Sequence, residues 1–296
     1  MTSIQAAVCF VLVPTLASAT AMEPRRFPNP EAAVRALEAA ARRDDPAALV
    51  AILGPESEKL ISSGDPVDDA AARKRFATAA AERIEVEHPS DDIAIAKIGR
   101  DAWPFPIPLD RNADGWRFDA ARGTEELLNR RIGRNELTAI EVCRAYVDAQ
   151  KEFARRFHAY AKSLRSTPGA HDGLYWDASD HDASPLGPLV ASATAEGYRV
   201  READQAPAPY HGYFFRILAA QGPHAPGGAR DYVRDDRMTG GFALVAWPAE
   251  HGSSGVMTFL VGEQGVVFQK DLGDATPDAV KAITAFDPDP SWQPTR

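Results

Sequence analysis

The sequence contains little cysteine and no excess of positive charge. Its 296 residues include two cysteines, and 33 basic against 42 acidic side chains give a formal net charge of −9 at pH 7. A nucleic-acid-binding protein needs basic side chains to neutralise phosphates, and an acidic protein is repelled by an anionic membrane surface. We therefore expect neither nucleic acid nor a membrane surface among its partners. With 45% hydrophobic and 25% charged residues, the composition is that of a folded globular protein.

Long hydrophobic runs are also rare, and the one near the N-terminus is short. Residues 4–17 are apolar, fewer than the roughly 20 residues that span a bilayer as a helix, and small residues follow at Ala17, Ala19 and Ala21. This pattern predicts a signal peptide over residues 1–21, cleaved after Ala21 or Ala19, and hence a periplasmic or secreted protein. The alternative is a buried N-terminal helix. After cleavage no apolar run reaches transmembrane length, so we expect no integral membrane span.

Removal of this leader also removes a thiol. Cys9 lies within the leader, so Cys143 is the one cysteine of the mature chain and no intramolecular disulfide can form. Cys143 falls on the apolar stripe of an expected helix. This position favours a buried, unreactive side chain over a nucleophile.

Motifs that specify a reaction are missing. The chain contains no G-x-S-x-G nucleophile elbow, and the glycine pairs at 227–228 and 240–241 lack the lysine and the strand-turn-helix context of a phosphate-binding loop. We therefore expect no catalytic residue and no cofactor. The sequence favours a protein that acts by binding.

The first part of the mature chain has proline-marked helix starts. Asn29-Pro30 and Asp45-Pro46 each combine a helix-capping side chain with a proline at the first helical position. A third helix is expected over residues 69–81. From residue 84 onward the hydrophobic period changes to two, which is typical of strands, and the proline-rich segment 103–108 is expected as an edge strand or polyproline-like segment. Helices followed by an antiparallel sheet predict an α+β domain over residues 27–124.

The second part begins with the longest helical pattern in the chain. Over residues 135–160 the apolar side chains fall at steps of three and four. Four strands are expected after it, at residues 213–219, 242–247, 257–261 and 266–270. A second domain over residues 125–296 is therefore expected, with a long helix packed on an antiparallel meander. The predicted fold class of the whole chain is α+β.

Several long strings carry a resemblance to a known family. They are WPFPIP at 103–108, RRIGRNE at 130–136, DGLYW at 172–176, SPLGP at 184–188 and GFALVAWP at 241–248. With these strings the chain resembles an uncharacterised bacterial family, domain of unknown function 2950, from Phe27 to Trp292. The resemblance implies a secreted envelope protein and assigns no catalyst. More distantly, the first domain resembles the nuclear transport factor 2-like (NTF2-like) fold, and the second resembles the globular part of type IV pilins and pseudopilins.

The densest charged motif lies at the expected domain boundary. It comprises Arg130, Arg131, Arg134, Asn135 and Glu136. Guanidinium groups beside a helix N-terminus could hold a carboxylate, a phosphate or a sugar acid. The alternative is an interdomain latch in which the arginines pair with acidic residues of the first domain and Asn135 caps the long helix. We favour the latch, with Trp103 as a further candidate at the same junction.

Two other groups of polar residues are weaker candidates. Asp65, Asp68 and Asp119, together with Trp103, are the groups to examine for a cavity in the first domain. A loop of the second domain supplies possible metal ligands at His171, Asp172, His181 and Asp182. Their spacing matches no structural zinc pattern, so a solvated loop is favoured there and no metal is expected.

The sequence alone therefore predicts an exported, non-catalytic cell-envelope protein that acts as an interaction or assembly module. Its expected partner is an unidentified envelope protein or a small ligand. The alternative is a small-ligand-binding protein or an enzyme acting on an envelope substrate, through the cavity of the first domain or through the domain junction.

Overall fold

The computed structural model describes residues 23–177, 182–200 and 205–295. The predicted leader, residues 1–21, and the candidate ligand His181 lie outside the described residues. The described part is an α+β structure, as the sequence predicts. Within it, no helix is both long enough and apolar enough to cross a bilayer.

Four helices form one side of the first lobe. They are α1 (Pro30–Arg42), α2 (Pro46–Leu53), α3 (Glu58–Ile61) and α4 (Pro66–Glu82). The predicted caps are confirmed, because Asn29 accepts a hydrogen bond from the amide of Ala32 and Asp45 accepts one from the amide of Ala48. The third long helix begins before the expected residue 69, because Asp65 caps it and Pro66 is its first residue.

A five-stranded antiparallel sheet completes the first lobe. Its strands are β1 (Ile84–Ser90), β2 (Ile93–Ile98), β3 (Trp103–Pro104), β4 (Leu109–Asn112) and β5 (Gly115–Phe118). The order is β1-β2-β4-β5, and β3 pairs with β2. The proline-rich segment contributes only the two residues of β3 to the sheet, since prolines cannot donate to a ladder.

The long helix α5 (Thr124–Phe157) begins earlier than the sequence suggests. The expected start at residue 135 is wrong because the helix continues through Gly133, whose cost of about 1 kcal/mol relative to alanine is tolerable in a long helix. Leu127, in its first turns, packs against the core of the first lobe. From Ala139 onward the helix packs on the second core. Helix α5 therefore runs along both lobes.

A second five-stranded antiparallel sheet lies against α5. Its strands are β8 (Tyr213–Leu218), β13 (Ala243–Pro248), β14 (Met257–Gly262), β15 (Val267–Asp271) and β16 (Gln293–Pro294), and its order is β16-β15-β14-β13-β8. The four strands expected in this region are confirmed within two residues. The smaller elements are β6 (Ser163–Arg165), β7 (Gly173–Tyr175), α6 (Gly187–Ala195), β9 (Ala220–Gln221), β10 (Arg230–Asp231), β11 (Val233–Arg234), β12 (Arg237–Met238) and α7 (Thr276–Ala282).

The apolar side chains form two separate cores among the described residues. The first extends from Phe27 to Ala120 and the second from Ala139 to Trp292, and we call the parts of the chain around them the first and second lobes. Cys143 is fully buried in the second core, as expected, and burial raises the pKa of its thiol to about 12. The boundaries 27–124 and 125–296 remain a prediction.

Candidate functional site

The buried arginine of the RRIGRNE motif holds helix α5, which runs along both lobes, to α3 of the first lobe. The Arg131 guanidinium donates a hydrogen bond of 3.0 Å to the carbonyl oxygen of Lys59 and another to that of Leu60. We expected this arginine to pair with acidic side chains. Its hydrogen bonds instead go to main-chain oxygens. Ser253, from the second lobe, donates to the same Lys59 oxygen over 2.9 Å. The α3 turn is therefore held from two directions.

The next residues of the motif bind the loop before β14. The Asn135 side-chain amide donates to the carbonyl oxygen of Ser254 over 2.9 Å, and a Glu136 carboxylate oxygen accepts from the amides of Val256 and Met257, each at 3.0 Å. The expectation that Asn135 caps α5 is wrong, because the helix begins at Thr124. The motif is therefore mid-helix, and it offers no free helix amides to an anion.

The remaining candidates of this motif lie at the surface. Arg130 hydrogen-bonds Glu126 of its own helix, and its guanidinium carbon lies 5.8 Å from the ring centroid of half-buried Trp103. Arg134 is exposed. Neither arginine shares the hydrogen bonds to α3 that Arg131 makes. The motif thus divides into a buried group at the junction and an exposed pair of arginines.

Asp65 forms the second connection between the lobes. One carboxylate oxygen accepts from the amides of Val67 and Asp68 and so caps α4. The other accepts from the Tyr198 hydroxyl over 2.9 Å and from the Gly212 amide over 2.8 Å. The side chain is 1% exposed. A single buried carboxylate therefore holds both a helix start in the first lobe and two groups of the second.

Two charged groups are desolvated at this junction. Burial lowers the pKa of Arg131 and raises the pKa of Asp69, although each attracts the charge of the other. One Asp69 oxygen accepts from the amide of Ser63, and the other is buried without a hydrogen bond. The raised pKa of Asp69 shows that burial outweighs these favourable contacts.

The candidate pocket of the first domain is not assembled as expected. Asp68 lies 3.6 Å from Arg75, and Asp119 lies 3.8 Å from Arg122, each measured between nitrogen and oxygen. Of these candidates, only Asp65 lines the cavity where the two lobes meet. Asp68, Asp119 and Trp103 are not among its wall residues.

Two of the candidate metal ligands of the second lobe pair with each other, and a third pairs with Thr167. His171 lies 2.8 Å from Asp182, which also binds Arg156 over 2.6 Å. Asp172 accepts two hydrogen bonds from Thr167, and these lower the pKa of its carboxyl. Within residues 23–177, 182–200 and 205–295, no three histidine, cysteine or acidic side chains are arranged to hold a metal ion.

A cavity of about 630 Å³ opens where the lobes meet. The first lobe supplies its wall from Gly64 to Val67, and the second lobe supplies most of the rest. The apolar part of the wall consists of Val142 from α5, Leu164 from β6, Leu186, Leu189, Val190 and Ala193 in and before α6, Phe215 from β8 and Leu244 from β13. Asp65 and the tyrosines 175, 198 and 210 add polar groups. Small-molecule sites have volumes of about 300 to 1,000 Å³ and this mixed lining.

Helix α6 forms part of the cavity wall, and its Leu189 is partly buried against the second core. Its residues are mainly apolar, yet none of them is buried, and Leu189, Val190 and Ala193 face the cavity. Protein interiors are normally close-packed, so a short apolar helix usually buries at least one side chain in the core beneath it. The sequence offered the domain junction and Asp65 as candidates, but it did not indicate the other wall residues, because they come from distant segments of the chain. The one available signal was an apolar helix between polar loops.

A larger hollow of about 710 Å³ lies along α1 and α4. Alanine side chains such as Ala41, Ala70 and Ala77 form much of its wall, and all of it belongs to the first lobe. It brings no group of candidate residues together. We therefore regard the junction cavity as the candidate site.

The fold and this cavity define an α+β protein with an apolar, ligand-sized cavity between two cores. The chain belongs to the family described as "Protein of unknown function (DUF2950)", whose model matches residues 24–295. Neither the curated proteins nor the solved structures contain a match to the chain. The family expected from the sequence strings is thus confirmed, and the NTF2-like and pilin-like resemblances stay predictions.

Proposed function

We propose that this protein is an exported, non-catalytic binding module of the cell envelope, and that it recognises a small ligand in the junction cavity. The observation that carries the proposal is the cavity itself, which is about 630 Å³ in volume and is lined by residues of both lobes. Small-molecule sites occur preferentially at such domain interfaces. The envelope location is proposed from the predicted leader over residues 1–21.

The lobes must be fixed relative to one another for such a site to keep its shape. The hydrogen bonds of Arg131 to residues 59–60 and of Asp65 to Tyr198 and Gly212 supply this constraint. We propose that the Arg131 contacts act as the interdomain latch expected from the sequence, with main-chain oxygens in place of the expected acidic side chains, and that Asp65 adds a second connection. Their contribution would be to pre-organise the cavity, which lowers the cost of binding.

The binding function is tested by blocking the cavity. Ala193 lines the cavity, whereas Ala191, on the same helix, is exposed and does not. We expect Ala193→Trp to abolish retention of an apolar fluorescent probe such as 1-aminoanthracene, and Ala191→Trp to leave it unchanged. Equal probe binding by both variants and the unsubstituted protein would refute the proposed site.

The envelope location is tested separately in the native host. Fractionation should recover the protein outside the cytoplasm, with a mass that corresponds to a chain beginning at residue 20 or 22. Recovery of the full-length chain in the cytoplasm would refute export. Pull-down from the same fraction tests the remaining alternative, an envelope protein partner, and the Arg130→Ala variant tests whether that partner uses the exposed arginine.

A further inference from the structure

The charged groups on the cavity wall are mainly cationic. Arg165 and Arg199 both line the cavity, and Asp65 is the one carboxylate among the described residues of its wall. Asp65 already accepts four hydrogen bonds, from two amides of α4, the Tyr198 hydroxyl and the Gly212 amide. Protein donors therefore already engage the Asp65 carboxylate, and the other two charged side chains of the wall are arginines.

Arg165 contacts the side chains of Tyr175 and Asp177. Its guanidinium carbon lies 5.7 Å from the ring centroid of Tyr175, and a guanidinium nitrogen lies 3.7 Å from a carboxylate oxygen of Asp177. Asp177 does not line the cavity, so a ligand carboxylate would share this arginine with it from the cavity side. Arg199 is exposed, so the cavity wall is solvent-accessible at this residue.

Another part of the cavity wall is apolar. Leu189, Val190 and Ala193 of α6, with Val142 and Leu244, line the cavity and carry no hydrogen-bonding side-chain group. An apolar surface of this kind is stabilised by an apolar occupant, because burial removes it from water. The wall of the site therefore combines apolar side chains with two arginines.

We propose that the junction cavity binds a monoanionic amphiphile with an aliphatic body, of which a fatty acid is the simplest member. The aliphatic chain lies against α6 and the acidic head group faces Arg165 and Arg199. This inference rests on the proposed ligand-binding function and adds the chemical class of the ligand. Free fatty acids and the acyl chains of lipid fragments with one acidic head share this chemistry.

The chemical class of the ligand is tested by titrating the mature protein with three ligands of equal chain length, the two ionic ones below their micellar concentrations and the alcohol below its solubility limit. Dodecanoate is anionic, dodecanol is neutral and dodecylammonium is cationic. Isothermal titration calorimetry should give the tightest binding for dodecanoate and the weakest for dodecylammonium. Comparable or tighter binding of dodecanol or dodecylammonium would overturn the anionic class while leaving the cavity as a ligand site.

Variants separate the head group from the chain. Arg199→Gln should weaken dodecanoate binding roughly two- to fivefold, the range expected for an exposed ion pair, and should leave dodecanol binding unchanged. The matched control is Arg234→Gln, an exposed arginine outside the cavity wall. An equal effect of both arginine variants would overturn the head-group assignment.

The chain position is tested by Ala193→Trp, which should weaken binding of dodecanoate and dodecanol at least about tenfold, with Ala191→Trp as the control. If neither ligand binds the unsubstituted protein but 1-aminoanthracene does, the amphiphile proposal fails and the ligand-binding function stands. If the protein binds neither these ligands nor 1-aminoanthracene, the amphiphile proposal and the ligand-binding function both fail. Arg199→Gln changes an exposed side chain, so we expect this variant to fold normally. It therefore tests the proposal even if Ala193→Trp fails to fold.

Discussion

The carboxylate of Asp65 accepts a hydrogen bond of 2.8 Å from the amide of Gly212, which lies 147 residues further along the chain. The same side chain caps α4. A local helix signal and a contact between lobes therefore depend on one residue. This arrangement makes the stability of the junction measurable by single substitutions.

Asp65→Ala should destabilise the protein more than the loss of a helix cap alone. It removes the cap and leaves the Tyr198 hydroxyl and the Gly212 amide without their acceptor, so we expect a loss of about 2–4 kcal/mol in the free energy of unfolding. Asn29→Ala, which removes only the cap of α1, should cost about 1 kcal/mol. Urea denaturation measures both. Equal losses would show that the contacts between lobes contribute nothing to stability.

Gly212 should not tolerate a side chain. Its φ is +74°, and an added Cβ would lie 2.6 Å from the side-chain nitrogen of Asn135. Gly228 has nearly the same φ, +75°, with no atom within 4 Å of an added Cβ. Gly228→Ala should cost about 1–2 kcal/mol for the backbone alone, and Gly212→Ala should cost clearly more because it also displaces Asn135. Thermal unfolding of the pair provides the comparison, and indistinguishable midpoints would contradict the close contact at the junction.

The raised pKa of Asp69 predicts a pH dependence of stability. Because the folded protein binds this proton more tightly than the unfolded chain, the Asp69 contribution to the free energy of unfolding falls as pH rises from the ordinary value of 3.8 through the raised pKa. Asp69→Asn should remove this downward slope. Asp172, whose pKa is lowered, should behave oppositely, since its stabilisation is present above the ordinary pKa and is lost as pH falls through the lowered pKa.

Denaturation curves from pH 3 to pH 8 on Asp69→Asn and Asp172→Asn would show these slopes as differences from the unsubstituted protein. The two differences should have opposite signs. Differences of the same sign would contradict the burial effect that raises the pKa of Asp69.

Cys143 should be unreactive in the folded protein. It is fully buried, and burial raises the pKa of its thiol to about 12, so little thiolate is present at pH 8. A chromogenic thiol reagent should therefore react only after denaturation. After denaturation, mature protein from the envelope should show one reactive thiol per chain. Protein that retains its leader should show two, because Cys9 is still present. Rapid labelling without denaturant would contradict the burial.

Much of the fold follows from local sequence signals, and the candidate site does not. The caps at Asn29 and Asp45 act within a few residues, and the strands of the second sheet have strong apolar patterns, so both could be predicted. The start of α5 could not, because helix continuity through Gly133 depends on packing of its first turns against the first lobe.

The roles of the RRIGRNE motif depend on tertiary contacts. Arg131 and Asn135 donate hydrogen bonds to main-chain oxygens of Lys59 and Ser254. Every residue has a main-chain oxygen, so the sequence does not indicate which of them act as acceptors. The cavity likewise depends on tertiary structure, since residues of α6, β8 and β13 line it together. The sequence did indicate that this motif lies near the junction, because the hydrophobic patterns on either side of it differ.

The most direct test of the central claim is native mass spectrometry of the protein released from the envelope of its own host. The account predicts a mature chain carrying a noncovalent adduct with the mass of a small amphiphile, present in the unsubstituted protein and in Ala191→Trp and missing from Ala193→Trp. A mature chain that carries no adduct, and that still carries none after incubation with dodecanoate or 1-aminoanthracene, would contradict it.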